Sequence, residues 1–78
     1  MTPDCKGTYE DAGEYNGKRS YQLVGNGWFI WWDPEGNWAI STERGNVGAN
    51  FWVLFDPEIA GTYSAGGDAE GDAIVTGI

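Results

Sequence analysis

Seventy-eight residues suit one small domain, because domains usually run to roughly 100 to 150 residues and nothing remains for a second core. Twelve acidic residues against four basic ones give a net charge of −8, which repels a phosphate backbone and excludes nucleic acid as a partner. Histidine is absent and cysteine occurs once, so the sequence excludes imidazole bases, zinc clusters and an internal disulfide.

Strand-and-turn patterning dominates the chain. Thirteen glycines separate short aromatic or β-branched runs, and no window shows the three-and-four spacing of an apolar helix face. Residues 21–24 and 28–32 flank Gly25-Asn26-Gly27, which predicts a hairpin. The run at residues 28–32 is the longest apolar one and is too short to cross a membrane, so we predict no membrane partner.

Further strands follow in chain order. Residues 33–37 have turn chemistry, and a returning strand at residues 38–41 completes a meander over about residues 19–42. Residues 43–50 are predicted to form a loop, and residues 51–55 and 72–76 to form strands. We therefore predict a single all-β domain over residues 1–78, with six or seven short antiparallel strands in a small barrel or a two-layer sandwich.

The two ends of the chain resemble each other. Three interpretations stay open: chance in a glycine-rich chain, equivalent strand-and-bend positions that lie side by side, or the seam of a tandem array. The matched residues are separated by 54 positions, and they are Gly7-Thr8-Tyr9 with Gly13 and Gly17, and Gly61-Thr62-Tyr63 with Gly67 and Gly71.

The aromatic strands are apolar on both faces. Because successive strand residues point to opposite sides, Trp28, Ile30 and Trp32 share one face, and Phe29 and Trp31 share the other. One face fills the core. The second face needs a cover, for which we consider a second sheet, a neighbouring subunit, or a ligand that stacks on indole rings.

Tryptophan is the candidate binding residue. We predict a non-catalytic structural or recognition module that binds a glycan or a protein surface through an exposed subset of its indoles and nearby amides. The alternative is a scaffold or self-associating unit in which every Trp packs internally, although at least one of five is expected to stay partly exposed. The candidate ligand-binding residues are Trp28, Trp31, Trp32, Trp38, Trp52, Asn26, Asn37 and Asn50.

Two carboxylate pairs, in Asp33-Pro34-Glu35 and Asp56-Pro57-Glu58, follow aromatic strands. Paired carboxylates suggest a small hydrolase as a second alternative. So short a chain has little room for a substrate cleft beside its core, and turn chemistry explains these residues better. We therefore predict that the protein is not an enzyme and needs no cofactor, since no glycine loop precedes a helix in the manner of a phosphate site.

Alternating acidic residues near the end of the chain form a candidate calcium site. In an extended segment, Asp68, Glu70 and Asp72 would present oxygen ligands on one face. Their spacing departs from the EF-hand pattern, and a solvated acidic sheet edge is the alternative. Cys5 is interpreted as a reactive thiol, a disulfide partner for another chain, or a small residue near the first strand.

Aromatic and glycine residues follow one order along nearly the whole chain: Cys5-x-Gly7-x-Tyr9, Gly13-x-Tyr15-Asn16-Gly17-Lys18, Tyr21, Trp28-Phe29-Ile30-Trp31-Trp32, Trp38-x-Ile40-Ser41, Gly48, Phe51-Trp52 and Gly61-x-Tyr63. This order resembles a short Trp- and Gly-rich all-β module that is appended or tandemly repeated in surface and phage tail-associated proteins of environmental bacteria. The resemblance implies a fold unit rather than a reaction, with adhesion, receptor or glycan contact, or spacing as its role. The acidic composition is compatible with an extracellular or virion-surface location.

Overall fold

The computed structural model describes residues 2–25 and 27–76, and these residues form seven β-strands. They contain no helix that is long and apolar enough to span a membrane. The strands are β1 (Tyr9–Tyr15), β2 (Lys18–Leu23), β3 (Phe29–Asp33), β4 (Asn37–Ser41), β5 (Asn50–Leu54), β6 (Gly61–Gly67) and β7 (Ala73–Val75).

Chain order and sheet order are the same. Each strand pairs antiparallel with the next one in the sequence, and the single sheet curls into a half-barrel. The predicted all-β class and strand number are therefore confirmed. β1 and β7 are the two edge strands.

Short turns join β1 to β2 and β3 to β4. Asn16 and Gly17 join β1 to β2 with φ values of 55° and 86°, and two consecutive positive φ values are typical of the tightest hairpins. Between β3 and β4, the Gly36 amide donates to the Asp33 carbonyl oxygen at 2.9 Å. This turn forms at the residues predicted for it, between the strands expected at residues 28–32 and 38–41.

The concave face of the sheet holds the core. The register pairs Trp32 with Trp38, Ile30 with Ile40, and Ile40 with Trp52, so large side chains from three strands meet on one side. Trp52 has no exposed surface and its ring lies 5.8 Å from that of Trp28. Aromatic packing of this kind supplies much of the buried apolar area in so small a protein.

β6 changes partner along its length. Its first residues, Gly61 to Tyr63, pair with β7, and its later residues, from Ser64 to Gly67, pair with β5. The bend requires glycine at the later end, because a Cβ atom on Gly67 would meet the carbonyl oxygen of Ala49 and the backbone there has a φ of +60°.

The predicted internal similarity corresponds to repeated local structure. The Tyr9 hydroxyl donates to the Cys5 carbonyl oxygen, and the Tyr63 hydroxyl donates to that of Ile59, each at 2.7 Å and four residues back. Burial raises the pKa of both phenols. The two segments are therefore equivalent strand starts. The interpretation that they lie side by side is wrong, since β1 and β6 are not neighbours in the sheet. All six matched glycines have positive φ: Gly7, Gly13, Gly17, Gly61, Gly67 and Gly71.

Candidate functional site

Four of the five tryptophans lie inside the protein. Trp28, Trp31, Trp38 and Trp52 expose 7%, 4%, 5% and 0% of their surface, and only Trp32 is half-buried. The predicted exposed subset of indoles is thus reduced to one residue. The five tryptophans, all of which are described, therefore do not form a surface on which a ligand could stack against several indole rings.

The indole N–H groups of three buried tryptophans have partners within the chain. Trp31 donates to the Ser41 hydroxyl at 2.9 Å and Trp38 donates to the Pro57 carbonyl oxygen at 3.1 Å. Trp52 donates to the carbonyl oxygen of Gly71 at 2.6 Å. Buried indole N–H groups need such acceptors. Pro57 and Gly71 lie in segments between strands, whereas Ser41 is the last residue of β4. Trp38 and Trp52 therefore fasten connecting segments to the sheet.

Trp32 already faces a cation from its own chain. The Lys18 Nζ atom lies 4.7 Å from the centre of the Trp32 ring, within the range of a cation–π contact. The Trp38 ring packs against Trp32 at 5.3 Å, and the Asn16 amide donates to the Trp32 carbonyl oxygen at 3.0 Å. A ligand ring that stacked on Trp32 would compete with Lys18 for the same ring.

The candidate asparagines do not surround Trp32 as a group. Asn37 is buried at the start of β4, and Asn50 is half-buried at the start of β5. Asn26 lies outside the described residues. The structure thus supports no shared amide and indole site.

Side chains of the same chain contact part of the second apolar face, a cover that was not among the three considered above. The Tyr15 ring meets the Trp31 ring edge-on at 6.0 Å, and the Arg44 guanidinium lies 5.2 Å from the centre of the Phe29 ring. Arg44 also donates to the Ser20 hydroxyl at 3.2 Å. The long Arg44 side chain therefore reaches across the convex side of the sheet from the loop after β4.

The two carboxylate pairs have the turn role expected for them. The Asp33 side chain accepts a hydrogen bond from the Glu35 amide at 3.0 Å, and Asp56 accepts one from Glu58 at 2.8 Å. An aspartate that bonds the amide two residues later stabilises a turn. These side chains hold backbone rather than face a shared cleft.

The predicted calcium ligands do not form a cluster. Asp68 lies in the turn after β6, where its amide donates to the Ala49 carbonyl oxygen at 2.6 Å, and Glu70 forms a bridge with Thr2. Asp72 precedes β7. Because the segment turns, the alternation of an extended strand does not apply. Among residues 2–25 and 27–76, no group of three or more acidic or cysteine side chains is placed to hold a metal ion.

A groove separates the two edges of the sheet, and we call it the seam groove. One wall is residues 5–9, the other is residues 73–76, and the buried side chains of Ile30 and Ile40 form the floor. Its volume of about 350 Å³ falls at the small end of ligand-binding pockets. On its rim, Ile74 exposes 72% of its surface.

The walls of the seam groove adjoin the two edges of the sheet: residues 73–76 contain β7, and residues 5–8 lead into β1 at Tyr9. The Thr8 carbonyl oxygen accepts from the Val24 amide at 2.9 Å, so the pairing beside β2 extends one residue before β1. In the part of the chain that the structure describes, no strand pairs with the outer edge of β1 or of β7. Such edges offer backbone N–H and C=O groups to an added strand.

The seam groove was not predicted from the sequence. It depends on residues nearly 70 positions apart, whereas the motifs above are local. A definite prediction of seven strands would have indicated the groove. In a meander of seven antiparallel strands the first and last strands run in the same direction, so these two edges cannot pair antiparallel with each other.

No family model, no curated protein and no solved structure matches this chain.

Proposed function

We propose that this protein is a non-catalytic recognition module that binds an extended segment of a partner protein in the seam groove. The observation that carries the proposal is the pair of sheet edges that face each other across an apolar floor. Addition of a peptide strand to an exposed edge is a recurrent mode of recognition, in which the backbone gives affinity and side-chain pockets give specificity.

The exposure of Ile74 supports this site. Lys, Pro and inward charges protect the edges of soluble sheets from unwanted pairing, but β7 has the sequence Ala-Ile-Val and carries none of them. Ile30 and Ile40 are already buried, so the apolar area that an incoming strand would remove from water on this chain belongs mainly to Ile74. Apolar burial of this kind is the main driving force of protein association.

The tryptophans have a supporting role in this proposal. The indole N–H bonds of Trp38 and Trp52 tie connecting segments to the sheet, and the Gly71 segment that Trp52 holds leads into the wall at residues 73–76. A prearranged site loses less conformational entropy on binding. This assignment replaces indole stacking with edge pairing as the means of recognition.

The chemistry of the walls suits binding better than hydrolysis. Among the described residues that line the seam groove, Lys6 is the one charged residue and none is a carboxylate. Carboxylate-based hydrolysis needs two such groups at one substrate. The carboxylates of the alternative hydrolase hypothesis, Asp33, Glu35, Asp56 and Glu58, lie at turns outside the seam groove.

Selection of peptides tests this proposal. A displayed library of random decapeptides would be selected on the immobilised protein, and binders would be compared on Ile74→Lys and Phe55→Lys variants. Phe55 exposes 79% of its surface outside the seam groove, so it is the matched control. We expect binders that lose at least about tenfold in affinity with Ile74→Lys only, equivalent to about 1.4 kcal/mol. Absence of any binder with that dependence contradicts the proposal.

A further inference from the structure

The direction of the bound strand follows from the number of strands. In a sheet whose seven strands alternate in direction, β1 and β7 run the same way. One added strand that runs opposite to both would pair antiparallel on each side and give eight strands. An eight-stranded antiparallel barrel is a common closed architecture with no free edge.

The two ends of the seam groove differ in charge. Thr2 and Glu70 exchange backbone hydrogen bonds of 2.8 and 2.9 Å, so the start of the wall at residues 5–9 lies near the start of β7. Asp4 directly precedes the first wall and Asp72 directly precedes the second. Asp4, Glu70 and Asp72 therefore place three negative charges near this end, against the one positive charge of Lys6 on the first wall. The far end is lined by the uncharged Tyr9 and Thr76, and Glu10, which follows Tyr9, adds a single negative charge there.

An antiparallel strand places its C-terminal end where β1 and β7 begin, which is the acidic end. We infer that the partner segment is an extended peptide with alternating apolar residues, and that basic residues follow its C-terminal end. This inference rests on the proposed function. The apolar residues would face the Ile30–Ile40 floor, and the basic residues would pair with the acidic end of the seam groove.

A second copy of this chain does not fit the description. Its basic residues are Lys6, Lys18, Arg19 and Arg44. Lys18 and Arg19 lie in β2 and pair with Tyr15 and Glu14 of β1, and Arg44 follows β4 next to the opposite charge of Glu43. Two copies would each bring a net charge of −8 and repel each other. The charge distribution thus favours a different, basic partner.

Synthetic peptides with one core test the inference. All three peptides share a six-residue core that alternates valine with threonine. The first peptide carries two lysines after the C-terminal end of the core, and the second carries two lysines before its N-terminal end. The third carries two glutamates after the C-terminal end. At low salt we expect the first peptide to bind about tenfold more tightly than the second, and the third to bind least. The preference is expected to shrink at 0.5 M salt because exposed charges are screened.

Charge variants locate the effect. Glu70→Gln with Asp72→Asn is expected to remove the preference for C-terminal lysines, whereas Glu35→Gln with Glu58→Gln, which removes the same charge at distant turns, is expected to retain it. Ile74→Lys is expected to weaken the first two peptides alike.

Each contrary outcome has a distinct meaning. Equal or tighter binding of the N-terminal lysine peptide, or library-selected groove binders without basic C-terminal ends, overturns the inference and leaves the proposed function standing. Absence of every groove-dependent binder overturns both. A concentration-dependent dimer in sedimentation that Ile74→Lys abolishes overturns the assignment in favour of a second copy.

Discussion

The Ser41 hydroxyl links the convex face of the sheet to the loop after β4. It accepts the Trp31 indole N–H at 2.9 Å, and its own proton is shared by the carbonyl oxygens of Glu43 and Asn46 at 2.7 and 2.9 Å. Because Trp31 and Ser41 are both buried, Ser41→Ala leaves an indole donor without an acceptor. A buried unsatisfied donor costs about 1–3 kcal/mol, so we expect a loss of about 2 kcal/mol. For a domain of this size, that loss lowers Tm by roughly 8–16 °C.

A double-mutant cycle separates this bond from general packing. Trp31→Phe removes the donor, so in that background Ser41→Ala is expected to cost about 1 kcal/mol less. Ser64 is exposed in β6, and Ser64→Ala is the control, with an expected change within about 0.5 kcal/mol. Urea unfolding followed by far-ultraviolet circular dichroism measures each free energy. An equal cost of Ser41→Ala in both backgrounds would refute the role of the indole bond.

Three further predictions concern glycine, tyrosine and cysteine. Gly67→Ala is expected to cost about 1–3 kcal/mol more than Gly13→Ala, because both have positive φ but only the first adds a Cβ that meets the Ala49 carbonyl oxygen; equal melting temperatures would contradict this. Burial raises the pKa of Tyr63 above 10.0, so its stabilising effect is complete below pH 10 and is lost as pH rises toward the folded-state pKa. Urea titrations from pH 10 to 11.5 should show a decline of about 1.4 kcal/mol per pH unit from this group, and the same slope in Tyr63→Phe would disprove the assignment. Burial also raises the pKa of the Cys5 thiol, so less thiolate forms and iodoacetamide at pH 8 should modify the folded chain more slowly than the urea-unfolded chain; equal rates would count against it.

Strands with continuous aromatic runs were predictable, because their signal is local. The strands around Trp31, Ala39 and Trp52 all formed within one or two residues of the expected bounds. β1 and β6 were not assigned, since three of the seven residues of Tyr9–Tyr15 are acidic and Gly61–Gly67 is rich in glycine. These two strands are specified by neighbours in the sheet and by their tyrosine hydrogen bonds rather than by hydrophobic alternation.

The candidate site was less predictable than the strands, because it depends on which segments cover which face. Nothing in the spacing of Trp31 and Phe29 indicates that Tyr15, 16 residues before Trp31, packs on its ring, or that Arg44, 15 residues after Phe29, lies over that ring. The sequence offers five indoles as equal candidates, and the packing of the curled sheet and its loops decides that four are buried. The seam groove also depends on tertiary structure, because the curvature of the whole sheet determines how near residues 5–9 come to residues 73–76.

The agreement between chain order and sheet order also bears on how fast the protein folds. Every strand pairing joins consecutive strands, and the longest connection between strands is residues 42–49. Folding rates of small proteins rise as contacting residues lie closer in sequence, because short chain closures lose less entropy in the transition state. This polypeptide should therefore refold faster than β-sandwiches of similar length whose sheets need long crossovers.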